Sequence, residues 1–310
     1  MAIGNRVAVA IGLFLGICAF CALTDGVDAA TKIPLKSPFA APLKEGSTGT
    51  LYRPKGSGPF PAVIVQHGCG GVNNEQDRTW ARRLTEWGYV ALIVDSFTNR
   101  GLPKGQCETF SDQVKNQQRA SDAYAGLAYL RSLDFIIKEK IGLIGFSNGG
   151  NSVLEASNAD ARLSRWSAKE VGGPFAAAIA FYPECGMRYG TWDVLREDTY
   201  WTGRVLNHVG KFVSLQPLLI SIGELDDLTP AAPCQRLVEF ARDGRLTIKV
   251  YPKAHHAFDT TWKVRYYPKT RNVNAKGRLG AHVGGNPRAR KQAISDAKAF
   301  FDALLKQSKP

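Results

Sequence analysis

Ile141-Gly142-Leu143-Ile144-Gly145-Phe146-Ser147-Asn148-Gly149-Gly150 is an apolar run that stops at a serine flanked by glycines. Its large and β-branched residues predict a buried strand ending at Phe146, with a helix starting just beyond. Gly145-Phe146-Ser147-Asn148-Gly149 then has the Gly-x-Ser-x-Gly form of a nucleophile elbow between strand and helix. Side chains at Gly145 and Gly149 would collide around so sharp a turn. The turn raises the Ser147 hydroxyl above the end of the sheet and aims the next backbone N–H, that of Asn148, beside it. The plainer alternative is a glycine-rich turn that only packs a helix closely on the sheet.

Similar strand-like runs lie on either side, at Ala62–Gln66, Val90–Asp95, Ala176–Tyr182, Leu218–Ile222 and Thr247–Tyr251. They lack clean period-two alternation, as expected of strands covered on both faces. Between them Ala120, Tyr124, Leu127 and Leu130 fall on one helical stripe. Ala289, Ala293, Ala297, Phe300 and Leu304 form another, behind the start signal Asn286-Pro287. Strands alternating with helices predict an α/β fold, a mostly parallel central sheet with helices on both faces. No linker-like stretch divides the chain, so residues 30–310 read as one domain. Two segments break the alternation: Gly186–Ser214, carrying Trp192, Tyr200 and Trp201, is a candidate lid, and residues 260–285 are a basic insertion.

A serine hydroxyl needs a base before it can attack, which directs attention to the five histidines, His67, His208, His255, His256 and His282. The base is expected after the last strand, where His255 and His256 stand side by side, and the acid after the strand before it. There Glu224, Asp226 and Asp227 are the candidates. Either choice gives the chain order Ser…Asp…His of the α/β-hydrolases. An oxyanion hole requires a second N–H donor, and the turn His67-Gly68-Cys69-Gly70-Gly71 supplies that of Cys69 beside Asn148. Cys69 is also the rival nucleophile, but it has no elbow around it. His67 reads as a structural residue under the turn. A zinc site from His67, His255, His256 and Asp259 lacks paired-ligand spacing, so neither a metal nor a cofactor is expected.

The 310 residues are 44% hydrophobic and 22% charged, a balance that excludes disordered, collagen-like and polytopic membrane chains. Basic residues number 40 against 27 acidic, formally +13. Arg6 precedes an uncharged run from Val7 to Thr24, and Val27-Asp28-Ala29 offers small residues to a signal peptidase. Residues 1–29 therefore read as a secretory signal peptide cut after Ala29, the alternative being an uncleaved anchor. Neither Cys18 nor Cys21 follows a small residue, which argues against lipidation. Without Arg6, Asp25 and Asp28 the charge becomes +14, and nine of the positive charges lie in the acid-free stretch Thr260–Ser295. Basicity is thus a local feature next to the two histidines. It reads as a solvated loop or as a contact with anionic lipids or polyanions. Export, and the lack of a surface interleaved with aromatics, argue against nucleic acid. The expected location is periplasmic or secreted. In that oxidising setting Cys69, Cys107, Cys185 and Cys234 are expected to form Cys69–Cys107 and Cys185–Cys234, each tying the ends of neighbouring strands.

From about Thr50 to Leu305 the chain resembles the dienelactone hydrolase family of α/β-hydrolases. The resemblance runs through Leu51-Tyr52-Arg53-Pro54-Lys55-Gly56, Gly58-Pro59-Phe60-Pro61-Ala62-Val63, the HGCGG turn at 67–71, Asp95-Ser96-Phe97 and Arg100-Gly101. It continues through Cys107, GFSNGG at 145–150, Tyr182-Pro183-Glu184-Cys185, GELDDLTP at 223–230, HHAFD at 255–259 and Gly280-Ala281-His282. The family's base precedes a small residue and then phenylalanine, which implies His256. Its acid stands three residues after a glycine and four before a proline, which implies Asp226. Arg100 lies near where the family places a carboxylate-binding arginine. The chain departs from the name-giving enzyme in having serine, not cysteine, at the elbow, and Asp259-Thr260-Thr261 where that enzyme has an arginine. The reading is a monomeric, exported serine hydrolase of carboxylic esters or lactones. A peptidase or amidase, or a binding protein that kept the fold, are the alternatives.

Overall fold

The computed structural model describes Met1 and residues 31–35, 47–73, 75–108, 113–196, 205–241 and 244–306. The signal-peptide reading of residues 1–29, Met1 aside, lies outside these. In chain order the first half holds β1 (Thr31–Pro34), β2 (Thr48–Tyr52), β3 (Phe60–Gln66), α1 (Asp77–Glu86), β4 (Val90–Asp95), α2 (Asn116–Arg131) and β5 (Ile136–Phe146). Next come α3 (Asn148–Ser157), α4 (Arg162–Glu170), β6 (Ala177–Phe181) and the strand pair β7 (Asp193–Arg196) and β8 (Val205–Val209). The chain continues with β9 (Leu218–Gly223), α5 (Ala231–Ala241), β10 (Leu246–Tyr251), the pair β11 (Arg265–Arg271) and β12 (Leu279–Val283), and α6 (Pro287–Phe301).

Eight strands make one sheet in the order β1-β2-β4-β3-β5-β6-β9-β10. β1 and β2 run antiparallel to their neighbours, and the other six are parallel. Those six are the strands expected from the apolar runs, and together with the helices they make the α/β-hydrolase fold. The absent alternation has the anticipated cause: all five residues of β6 and all six of β9 are buried. β10 alternates because it lies at the sheet edge, with Thr247 and Lys249 exposed. β5 starts five residues before Ile141, because Lys138 and Glu139 extend it where one stretch leaves the protein interior.

The α2 stripe Ala120, Tyr124, Leu127 and Leu130 is buried as expected. The second stripe changes course at its end, with Phe301 and Leu305 buried in place of Phe300 and Leu304. A π turn over Asp302–Lys306 follows α6 and widens the residue spacing, so the four-residue steps from Ala289 carry through to Leu305. Asn286 caps α6 by accepting from Ala289 N–H, with Pro287 at its first position. Cys69–Cys107 and Cys185–Cys234 are both formed, in the expected pairing. Cys69 and Cys107 follow β3 and β4, which are sheet neighbours, whereas Cys234 lies on α5 and not at a strand end.

The two irregular segments contain short antiparallel pairs. Gly186–Ser214 holds β7 and β8; Trp192, just before β7, is fully buried with Nε1 donating to the Cys185 carbonyl. Tyr200 and Trp201 lie outside the described residues. The basic stretch Thr260–Ser295 divides between the β11–β12 hairpin and the first turns of α6.

Candidate active site

β5 runs straight into α3 through Ser147, whose backbone takes φ 54° and ψ −118°, a conformation that L residues rarely hold. The flanking glycines permit it. A Cβ on Gly145 would come 2.3 Å from the Gly149 carbonyl, and one on Gly149 would come 2.2 Å from the Gln66 carbonyl. Ser147 N–H is held by the Phe181 carbonyl at 2.9 Å, so β6 braces the turn from the side. The Ser147 hydroxyl at this turn faces a histidine.

His256 Nε2 lies 2.9 Å from Ser147 Oγ, and His256 Nδ1 lies 2.9 Å from Asp226 Oδ2. The consistent tautomer carries its proton on Nδ1 and leaves Nε2 to accept from the serine. Asp226 is buried and well satisfied: its Oδ1 accepts from Leu228 and Thr229 N–H, and its Oδ2 from the Thr229 hydroxyl. The Tyr182 ring meets the His256 ring edge-on at 4.6 Å. Tyr182 is itself fixed by donating to Asp259 at 2.6 Å, and Trp80 Nε1 donates to the same carboxylate at 2.7 Å. Burial and the adjacent Asp259 push the Tyr182 phenol well above its usual pKa, so it stays a donor. Asp259 stands where the sequence departs from the name-giving enzyme, and it serves as a buried anchor behind the histidine.

The neighbouring candidates turn elsewhere. Asp227 accepts from His282, and Glu224 accepts from Lys253 N–H in the loop ahead of His256. Of the four residues of the zinc alternative, His256 faces Ser147 and Asp226, and Asp259 holds Tyr182 and Trp80. His67 is fully buried, its Nδ1 on the Gly68 carbonyl and its Nε2 accepting from Ser96 N–H. Burial, and after it the nearby Arg119, hold His67 down to about 3, so it is a neutral structural residue.

The turn after β3 packs on the elbow: a Cβ on Gly68 would stand 3.9 Å from Ser147 Cβ. Cys69, Ser147 and Asn148 line one cavity. The Cys69 carbonyl accepts from Gln106 N–H at 2.7 Å, and its sulfur is tied to Cys107, so the turn is held from two directions. Arg119 of α2, which sequence reasoning missed, lies fully buried beneath both arms. One of its terminal nitrogens donates to Asn148 Oδ1 and the other to the His67 carbonyl. The apolar stripe gave no signal for it, since Arg119 stands one residue off Ala120 and consecutive helical residues face different ways.

Ser147 sits where two lobes of a cleft meet. The larger, about 480 Å³, carries four cations, Lys115, Arg188, Arg271 and Arg278, and one carboxylate, Glu184. Glu184 is already engaged by Gly186 N–H and by Asn274. The smaller lobe, about 220 Å³, is lined by Tyr182, Leu228, Trp262, Tyr267 and Val283. Arg100 lies elsewhere: both terminal nitrogens pair with Asp122, at 2.7 and 2.9 Å, and one also donates to the Ser96 carbonyl. It does not line either lobe. Of the candidate lid, Met187 and Arg188 reach the cleft. The basic hairpin contributes Thr270, Arg271, Val273 and Arg278 as one wall.

The chain resembles known proteins at several levels. It is 34% identical over 114 residues to the quorum-quenching protein AidA of Acinetobacter baumannii, a match covering 37% of this chain and 36% of that one. A second curated relative, from Synechocystis, is 32% identical and matched over 45% of its length, so the chain spans less than half of either. Among solved structures, esterase 2 of Thermogutta terrifontis superposes with a TM-score of 0.59 at 16% identity, covering 92% of this chain and 98% of that one. A dienelactone hydrolase of Anabaena variabilis does so with 0.55 at 15% identity, covering 89% and 98%. At such identities the structural likeness speaks for the fold. The sequence profile of the dienelactone hydrolase family matches residues 48–305, from the start of β2 to the π turn after α6, and the chain belongs to that family.

Proposed function

We propose that the protein is a serine hydrolase that cleaves carboxylic esters or lactones through an acyl-enzyme. The observation that carries the reading is the relay of two 2.9 Å contacts from Ser147 through His256 to Asp226, at a strained elbow. Ser147 Oγ attacks the substrate carbonyl while His256 Nε2 takes its proton. Asp226 keeps the imidazole oriented and balances the positive charge that His256 acquires. The amides of Asn148 and Cys69 receive the oxyanion. His256 then protonates the departing alkoxide, and water, deprotonated by the same nitrogen, releases the acyl group. The Cys69–Cys107 bond removes the rival thiol and supports the oxyanion turn.

The cleft also bears on substrate. Four cations in one lobe and an apolar, aromatic wall in the other favour a substrate whose scissile bond separates an anionic group from an apolar one. Two disulfides fit an exported protein, and among the described residues no helix is long and apolar enough to cross a membrane. Ser147→Ala tests the reading. Turnover of an activated ester is expected to vanish, with the loss of stoichiometric labelling by an organophosphonate. Turnover persisting near the unmodified rate removes Ser147 from the mechanism. A matched amide hydrolysed as fast as its ester would favour a peptidase.

A further inference from the structure

Asp227, His255 and His282 each bring one oxygen or imidazole nitrogen within 4.8 Å of the other two. They converge from separate parts of the chain: the loop after β9, the stretch after β10, and β12. His282 Nδ1 lies 2.7 Å from Asp227 Oδ2, and His282 N–H donates to Asp227 Oδ1 at 2.9 Å, so backbone and side chain together fix one carboxylate. The rings of His255 and His282 are 5.4 Å apart. Nδ1 of His255 is buried and finds no hydrogen-bond partner among the described residues. An orphaned imidazole nitrogen is costly in a folded protein, and a bond to a metal ion removes that cost.

Two imidazoles and a carboxylate are ligands that suit zinc and other late first-row divalent ions, whereas magnesium and calcium take oxygen-only sets. Zinc bonds of about 2.0–2.2 Å place ligand atoms about 3.4 Å apart in a tetrahedron. The Asp227–His282 contact, at 2.7 Å, must therefore open slightly and any wider pair close, which side-chain rotation supplies where Asp227 and His282 are each close to half exposed. We propose that Asp227, His255 and His282 form a binding site for a zinc-type divalent ion, with the remaining coordination position open to solvent.

Its place in the fold gives the site a consequence. Asp227 adjoins Asp226, and His255 adjoins His256. Gly284 N–H, just past β12, donates to the His256 carbonyl at 2.9 Å. One ion thus clamps, from the outer side, the three segments that frame Asp226 and His256.

Tag-free protein is stripped with a chelator and titrated with zinc chloride by calorimetry. One equivalent is expected to bind, and His282→Asn or Asp227→Asn each weaken it by at least tenfold, a ligand loss being no milder than the loss of an outer-shell partner. Ser147→Ala keeps it. Zinc raises the Tm of the wild type and leaves that of His282→Asn unchanged, with circular dichroism showing the variants folded. Failure to take up one equivalent in excess zinc, or uptake by both variants equal to that of the wild type, overturns the site. The readout is binding, so it stands apart from any result on ester hydrolysis.

Discussion

Two aspartate–histidine pairings stand next to each other in this molecule, their aspartates adjacent in one loop and their histidines on different elements, and the two are opposite in character. Asp226 and His256 are 4% exposed, and Asp226 collects two backbone N–H groups, the Thr229 hydroxyl and the imidazole. Asp227 and His282 have side chains 43% and 46% exposed and hold mainly each other. An exposed pair contributes little on its own, because water screens it. A buried pair is electrostatically stronger, and it survives only because every polar atom is satisfied. The two pairings therefore differ by their surrounding shell more than by their residue types.

The largest expected effect tests that contrast directly. Asp226→Asn should lower kcat by about ten-thousand-fold, since the imidazole loses the partner that sets its tautomer. Asp227→Asn, in metal-free protein, should change kcat by less than about threefold, as expected of an exposed pair worth well under 1 kcal/mol. Steady-state kinetics on one activated ester measure both, and equal losses would erase the distinction. A smaller effect is expected at Arg119, which acts as a positioning residue beneath the oxyanion turn. Arg119→Lys keeps the charge but cannot span Asn148 Oδ1 and the His67 carbonyl together. Its kcat should fall by about ten- to a hundred-fold with KM little changed, because a misplaced donor weakens the transition state alone. A rise in KM at constant kcat would place Arg119 outside that role.

In the cleft, Arg278→Ala should raise KM about tenfold for an ester bearing a carboxylate and leave a neutral ester unchanged, one charge-assisted contact being worth about 1.5 kcal/mol. The comparison of the two substrates carries the test. The smallest effect concerns stability and contrasts two buried carboxylates. Asp226 is fully satisfied, whereas Glu155 is buried in α3 with Oε2 lacking a partner among the described residues. Desolvation raises the Glu155 pKa from 4.5 to about 7. The folded state therefore holds a proton that the unfolded state has released, and stability falls as pH rises between those values. Glu155→Gln should raise Tm at pH 8, by up to about 3 kcal/mol in stability, and change little near pH 4. Thermal melts at the two pH values decide it; equal shifts at both would show that ionisation plays no part.

Much of the frame was legible because it depends on near neighbours. Six apolar runs mark the six parallel strands, and Cys69–Cys107 joins the ends of two that are neighbours, whereas Cys185–Cys234 forms in the expected pairing from a helix, α5. Short polar strands escaped. Arg265–Arg271 reads as a solvated basic loop, and its pairing with Leu279–Val283 has no apolar alternation to announce it. The end of α6 escaped too, because a π turn changes the spacing on which a helical stripe relies. Arg100 was a matter of competition: its position is near the cleft in sequence, but Asp122 on α2 captures the guanidinium first. The cleft's cations come from three separate stretches, Lys115 ahead of α2, Arg188 after β6 and the pair Arg271 and Arg278 of the β11–β12 hairpin, and only that last pair is grouped along the chain.

The elbow was legible in the sequence because its pattern lies within five residues, glycine at 145 and 149 with a serine at φ 54° between them; the clash at Gly145 is local, against Gly149, whereas that at Gly149 is with Gln66 of β3. The loops by themselves left two adjacent aspartates and two adjacent histidines open; the family resemblance pointed to Asp226 and His256, and the tertiary structure is what brings His256 to that serine and Asp226 to the histidine. The contacts that choose them join residues 109 and 30 positions apart. Successive side chains in a loop point different ways, and only the packing of Thr229, Tyr182 and Asp259 around the inward pair makes one direction the buried one.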